Sequence, residues 1–120
     1  MNIKKVVVIG SGTMGSGIAA QVANAGIKVT LLDLPSKEGS RNQITENAKE
    51  KILKSRPPLL VDKDKANLIT TGNIDDDFKE VEHADWIVEA VVERIDIKHN
   101  IYSKIQAARK AESIISSNTS

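Results

Sequence analysis

Val6-Val7-Val8-Ile9-Gly10-Ser11-Gly12-Thr13-Met14-Gly15 is a run of four β-branched residues that stops on a glycine and then changes period. Extended back to Ile3 through Lys4 and Lys5, the apolar run reads as a strand buried on both faces, as in a parallel sheet. From Thr13 onward Met14, Ile18 and Val22 recur at helical spacing with Ala19 and Ala23 beside them, and Gly26 falls where a left-handed cap ends a helix. Val29 to Leu32 is a second apolar strand, closing on Asp33. Strand, helix and strand in about thirty residues make one right-handed βαβ unit.

Gly10, Gly12 and Gly15 have the G-x-G-x-x-G spacing, and each has a mechanical reason. Gly10 permits the tight turn out of the strand, Gly12 puts no side chain in the way of a diphosphate, and Gly15 lets the helix pack closely on the sheet. The free N–H groups and positive end of that helix then face the phosphates. Such a motif alone is weak, but here it lies between a strand and a helix, and Asp33 stands 18 residues beyond Gly15 at the end of the next strand. The Asp33 carboxylate can accept hydrogen bonds from both adenosine ribose hydroxyls. A 2′-phosphate would meet like charge there, with Leu34 rather than an arginine next in the chain, so the expected cofactor is NAD over NADP. The competing reading is a tight turn with a solvated aspartate.

Outward from this unit, Ser40 and Gln43 have capping-box spacing, and Ile44, Ala48 and Ile52 form the apolar stripe of a helix ended by Pro57-Pro58. Its other face, Lys49, Glu50, Lys51 and Lys54, reads as solvated. A short polar helix around Asp62 to Asn67, a small strand at Leu68 to Thr71 and a turn at Gly72-Asn73 follow. The Asp75-Asp76-Asp77 run lacks the alternating ligands and glycine of a calcium loop, so no metal is expected. Trp86 to Val92 reads as a third major strand interrupted by Glu89, with Glu93 at its carboxyl end. Ile97, Ile101, Ile105 and Ala108 mark another helix, and Ile114-Ile115 opens a last strand before Ser116-Ser117-Asn118-Thr119-Ser120. The predicted fold is α/β: a Rossmann-type doubly wound parallel sheet in three α/β/α layers. If its strand order is 3-2-1-4-5, Gly10 to Gly15, Val91 to Glu93 and Asn118 to Ser120 come to one crevice. Asn118 and Ser120 suit a reacting hydroxyl or carbonyl, and Glu93 with Lys98 a ribose, although a plain loop and a helix-start ion pair would look the same. His83 and His99 read as solvated.

The 120 residues are 40% hydrophobic and 28% charged, with net charge +1 and no cysteine. They make one domain and exclude a disulfide scaffold and a thiolate metal site. Near-neutral charge and three aromatics, Phe78, Trp86 and Tyr102, argue against a nucleic-acid binder. No apolar run approaches the roughly 18 residues of a membrane helix. Val6 to Ile9 is also too short for the hydrophobic region of an export signal, so the expected compartment is the cytoplasm.

With these residues in place, the chain resembles the NAD-binding domain of the 3-hydroxyacyl-CoA dehydrogenase family over essentially its whole length. The similarity is densest in Val8 to Ala19, in Asp85 to Glu93 (DWIVEAVVE) and in Ser117 to Ser120. The resemblance implies NAD as cofactor, with Gly10, Gly12, Thr13, Met14 and Gly15 at the dinucleotide, Asp33 at the adenosine ribose, and Val92, Glu93 and Lys98 on the nicotinamide side. It further implies that Ser120, the catalytic position within these residues, touches cofactor and substrate, with Asn118 adjacent. The implied reaction oxidises a (3S)-3-hydroxyacyl-CoA to the 3-ketoacyl-CoA in fatty-acid β-oxidation. In the Ser40 to Arg56 helix, where the family can contact coenzyme A, only the basic character of Lys51, Lys54 and Arg56 is matched.

The family's catalytic histidine and helical substrate domain lie beyond Ser120. Residues 1–120 are therefore expected to be the dinucleotide-binding part of a longer, homo-oligomeric protein, to bind NAD and to turn over nothing alone. Pro57-Pro58 and Gly72-Asn73-Ile74 resemble the bifunctional enzymes that join this dehydrogenase to an enoyl-CoA hydratase. The expected partner is the 3-hydroxyacyl-CoA substrate, with no nucleic acid and no membrane. Competing functions are another NAD-linked hydroxy-acid dehydrogenase and a non-catalytic NAD-sensing module.

Overall fold

The computed structural model describes residues 3–91 and 95–117, with side chains over 3–91 and 100–116. The chain runs β1 (Lys5–Ile9), α1 (Thr13–Asn24), β2 (Lys28–Asp33), α2 (Gln43–Lys54), β3 (Ile69–Asn73), α3 (Ile74–Asp77), β4 (Trp86–Glu89), α4 (Ile95–Ala108) and β5 (Ile114–Ser117). Short 3-10 helices at Lys63–Leu68 and Phe78–His83 lead into β3 and β4. The sheet order is β3-β2-β1-β4-β5 and every pairing is parallel. This is the order on which the expected crevice depends, and the switch point lies between β1 and β4.

The four-residue apolar run becomes a two-faced core because side chains alternate across a strand. Val6 and Val8 join Val29, Leu31, Ile69 and Val88 on one face, under Ala19, Ala20 and Ala23 of α1 and Ala48 and Ile52 of α2. Val7 and Ile9 join Leu32 and Ile87 on the other, under Val81, Ala84, Ile101 and Ile105. Val6, Val7, Val8 and Ile9 are all fully buried. At roughly 1.5–3 kcal/mol for each large apolar side chain removed from water, this double-sided burial is the main term holding β1 at the centre. The alanines of α1 carry little bulk, which lets that helix lie close over the sheet beside Gly15.

Several local readings are overridden by long-range contacts. The capping box is not made: Ser40 Oγ accepts from the Asn42 N–H at 3.2 Å, and the Gln43 side chain donates to Asn47. Asn42, at the cap position of α2, is engaged instead by the Asn73 amide at 2.8 Å, so the helix start is set by its neighbour β3. Gly72 and Asn73 are strand residues, paired with Leu32 and Asp33, and not a turn. Parallel pairing outweighs the local turn preference of the dipeptide. Asn73 Oδ1 then accepts from the Asp76 N–H at 2.8 Å and starts α3, while Asp76 pairs with Arg41 at 2.7 Å and Asp77 accepts from the Asn73 N–H. The aspartate run is thus occupied in capping and pairing. Among the described residues no group of three or more His, Cys, Asp or Glu is placed to hold a metal.

Two further corrections concern faces and ends. Lys49 is half-buried and donates to the Ile69 carbonyl at 2.8 Å, so α2 has a less solvated face than its charges suggest. β4 ends at Glu89 rather than at Val92, and Glu89 is buried, accepting from the Val91 N–H at 2.6 Å. What reads as an interruption of the strand is the carboxylate that shapes its exit. His83 is exposed, as expected; the His99 side chain lies outside the described residues.

At the opposite rim, Asp85 gathers the start of β1 to the start of β5. It accepts from the Lys4 and Lys5 N–H groups at 2.9 and 3.1 Å and pairs with Lys110. The Lys110 ammonium, followed by these backbone donors, holds its carboxyl down at about 2. A carboxyl lowered on folding stabilises the fold above its ordinary value of 3.8, and that contribution is lost as pH falls from there towards 2. Asp85→Asn should therefore melt below the parent at pH 7, with the gap closing across this window. Fluorescence of Trp86, the single tryptophan, reports the melt; a gap unchanged down to pH 2 contradicts the role.

Candidate dinucleotide-binding site

The loop between β1 and α1 is built around two close backbone approaches. Gly10 has φ +108°, and a Cβ there would stand 2.7 Å from the carbonyl carbon and oxygen of Ala90, just beyond β4. A Cβ on Gly15 would stand 1.8 Å from the Gly10 carbonyl oxygen. Neither position admits a side chain while the loop keeps this path. Gly12 differs: a Cβ there would meet nothing within 4 Å. Its missing side chain leaves space open above the loop instead of relieving a contact within it.

Gly12 is also the cap residue of α1, where no side chain caps the helix and no acid stands in the first turn. The unpaired N–H groups and the positive helix end are therefore left for an external anion. A short polar chain stiffens the loop: Ser16 Oγ donates to the Ser11 carbonyl at 2.8 Å. Ser11 in turn donates to Asp33 Oδ2 twice, from its N–H at 2.8 Å and its Oγ at 2.6 Å. Asp33 Oδ1 accepts from the Leu34 N–H at 2.7 Å.

Gly10, Gly12, Thr13 and Asp33 line one cleft of about 590 Å³, together with Ala90 and Val91 from the exit of β4. Of the three segments expected to meet, the glycine loop and Val91 line this cleft, with Asp33 at the end of β2 beside them; Asn118 to Ser120 lie outside the described residues. Met14 lies in the first turn of α1, 45% exposed, and is not part of the lining. Val92, Glu93, Asn118 and Ser120 lie outside the described residues, as does the side chain of Lys98. Two parts of the site had no assigned role in the sequence reading. One is the hydroxyl pair Ser11 and Ser16; a serine between two glycines with an acid on the next strand was the available signal. The other is a wall from α2, where Ile44, Asn47 and Lys51 line the same cleft while Lys54 turns to Glu50.

Comparison with known proteins fits this geometry. A family model described as the NAD-binding domain of 3-hydroxyacyl-CoA dehydrogenase matches residues 5–120. The chain belongs to that family. A probable 3-hydroxyacyl-CoA dehydrogenase of Deinococcus radiodurans is 48% identical over 122 residues, covering 100% of this chain and 35% of the relative. A putative fatty acid oxidation complex trifunctional enzyme of Rickettsia felis is 49% identical over 119 residues, covering 98% of this chain and 16% of the relative. The solved 3-hydroxybutyryl-CoA dehydrogenase of Escherichia coli K12 superposes with a TM-score of 0.78 at 28% identity, over 100% of this chain and 25% of that one.

The chain thus spans about a third or less of these relatives. NAD is the cofactor of this domain family, and the cleft fits it: an uncapped helix end, open space above Gly12, and an acid at the end of β2. No helix among the described residues is long and apolar enough to cross a membrane.

Proposed function

We propose that this domain holds NAD for a 3-hydroxyacyl-CoA dehydrogenase reaction carried out by a longer protein. In this reading the N–H groups at Gly12, Thr13 and Met14 receive the diphosphate, with Gly10 and Gly15 keeping the loop thin, and Asp33 receives the adenosine ribose. The open position at Gly12, at a helix end with no side-chain cap and no acid in its first turn, is the observation that carries it. Val92, Glu93 and Lys98 are assigned to the nicotinamide side, and Asn118 and Ser120 to the reacting hydroxyl, from the family resemblance.

Bound NAD supplies a hydride acceptor for the C3 hydrogen of the (3S)-3-hydroxyacyl-CoA. The residues of this domain orient: Ser120 hydrogen-bonds the reacting oxygen, and the hydroxyl proton goes to the family's histidine in the remainder of the protein. Lys51 is the member of the basic set Lys51, Lys54 and Arg56 that lines the cleft, and it is the one suited to an anionic part of the substrate.

Calorimetric titration tests the cofactor assignment. NAD is expected to bind more tightly than NADP, and equal affinities would overturn the reading of Asp33. Residues 1–120 alone are expected to bind NAD without reducing acetoacetyl-CoA in the presence of NADH. Turnover by this piece would contradict the placement of the proton acceptor elsewhere.

A further inference from the structure

We propose that Ser11 is a positioning residue for cofactor recognition, setting the NAD-over-NADP preference through its grip on Asp33. This rests on the reading that Asp33 meets the adenosine ribose. A carboxylate offers about four acceptor positions. Three are already filled within the chain: two on Oδ2 by the Ser11 N–H and Oγ, and one on Oδ1 by the Leu34 N–H. One position on Oδ1 remains for the sugar. Asp33 therefore recognises the ribose through a single oxygen whose place is set by Ser11, and not through a freely turning carboxylate.

The hold is firm because Ser11 is itself fixed. Its carbonyl accepts from Ser16 Oγ in the first turn of α1 at 2.8 Å, and Gly10 before it is locked against Ala90. The chain from Ser16 through Ser11 to Asp33 links the loop that faces the diphosphate to the residue that faces the ribose, so the two halves of the adenosine diphosphate site keep a fixed spacing. Preset acceptors favour the ligand they fit, since the ordering is done before binding. A carboxylate held in place also cannot swing away from a 2′-phosphate, so the same grip penalises NADP.

The test compares Ser11→Ala and Ser11→Thr with the parent by calorimetric titration with NAD and with NADP, alongside Trp86-monitored melts. Ser11→Ala keeps the backbone N–H bond and loses the hydroxyl bond. It is expected to weaken NAD by roughly five- to tenfold, less than the full worth of a hydrogen bond to a charged group because the bond lost holds Asp33 in place and does not itself touch the cofactor, while NADP is unchanged or improved. Ser11→Thr, which keeps a hydroxyl, is expected to restore most of the preference. An equal loss for both cofactors in Ser11→Ala would show a merely structural role and overturn the proposal, as would an unchanged NAD affinity. Asp33→Ala separates the two levels. If it alters the cofactor preference and Ser11→Ala does not, Ser11 fails while the ribose reading stands; if it does not alter the preference, the ribose reading itself fails.

Discussion

Gly10→Ala is expected to abolish measurable NAD binding and to cost the fold roughly 2–5 kcal/mol, combining a side chain forced to positive φ with overpacking against backbone. The added methyl would lie 2.7 Å from the Ala90 carbonyl, a group on the main chain at the exit of β4 that cannot rotate aside. Either β1 and β4 separate at their carboxyl ends, where Ala90 N–H donates to Ile9 O at 2.7 Å, or the loop leaves its path. Both outcomes remove the cradle. Against a typical total stability of about 5–15 kcal/mol, this is a large fraction. Urea unfolding followed by Trp86 fluorescence measures it.

Gly12→Ala is the informative companion. With φ −67° and nothing within 4 Å of a Cβ, alanine is accommodated. Its poorer capping is offset by the lower entropy of the unfolded chain, leaving a net change within about 1 kcal/mol. NAD affinity should still fall sharply, because the methyl occupies the space assigned to the diphosphate. Two glycines two residues apart are thus expected to fail in different ways, one through folding and one through binding. A Gly12→Ala protein that binds NAD as the parent does would remove the diphosphate from this loop.

Asp33→Ala is expected to weaken NAD by about 10–100-fold, the range for a hydrogen bond to a charged group. NADP should lose far less, because the like charge facing its 2′-phosphate disappears with the side chain. The substitution also releases the Ser11 N–H and hydroxyl, part-buried, and the exposed Leu34 N–H, so the melting temperature should drop modestly without loss of the fold. The decisive quantity is the ratio of the two dissociation constants in one calorimetric series. A ratio equal to the parent's would detach Asp33 from the ribose.

Much of this site was legible in the residues because the elements involved have strong, uniform signals. Val6 to Ile9 and Val29 to Leu32 are apolar on both faces, which a parallel central strand requires, and the glycine spacing sits between two such elements. The weaker segments misled where local preference and long-range pairing disagree. Gly72-Asn73 carries turn residues yet extends β3, since pairing with Leu32 and Asp33 satisfies its backbone groups. Ser40 and Gln43 have the spacing of a capping box, but the neighbouring Asn42 is tied to Asn73 on another strand.

The residues alone determined the βαβ unit, the thin glycine loop and the acid at its side, because each follows from contacts between neighbours in the chain or from burial periodicity. Only the tertiary structure decided which glycine serves folding and which serves the ligand, since that depends on whether Ala90, eighty residues away from Gly10, lies against the missing side chain. It also decided how many acceptor positions Asp33 has left. Hydrogen bonds between Ser11 and an acid 22 residues on have no periodic signature; they exist because two strands end side by side.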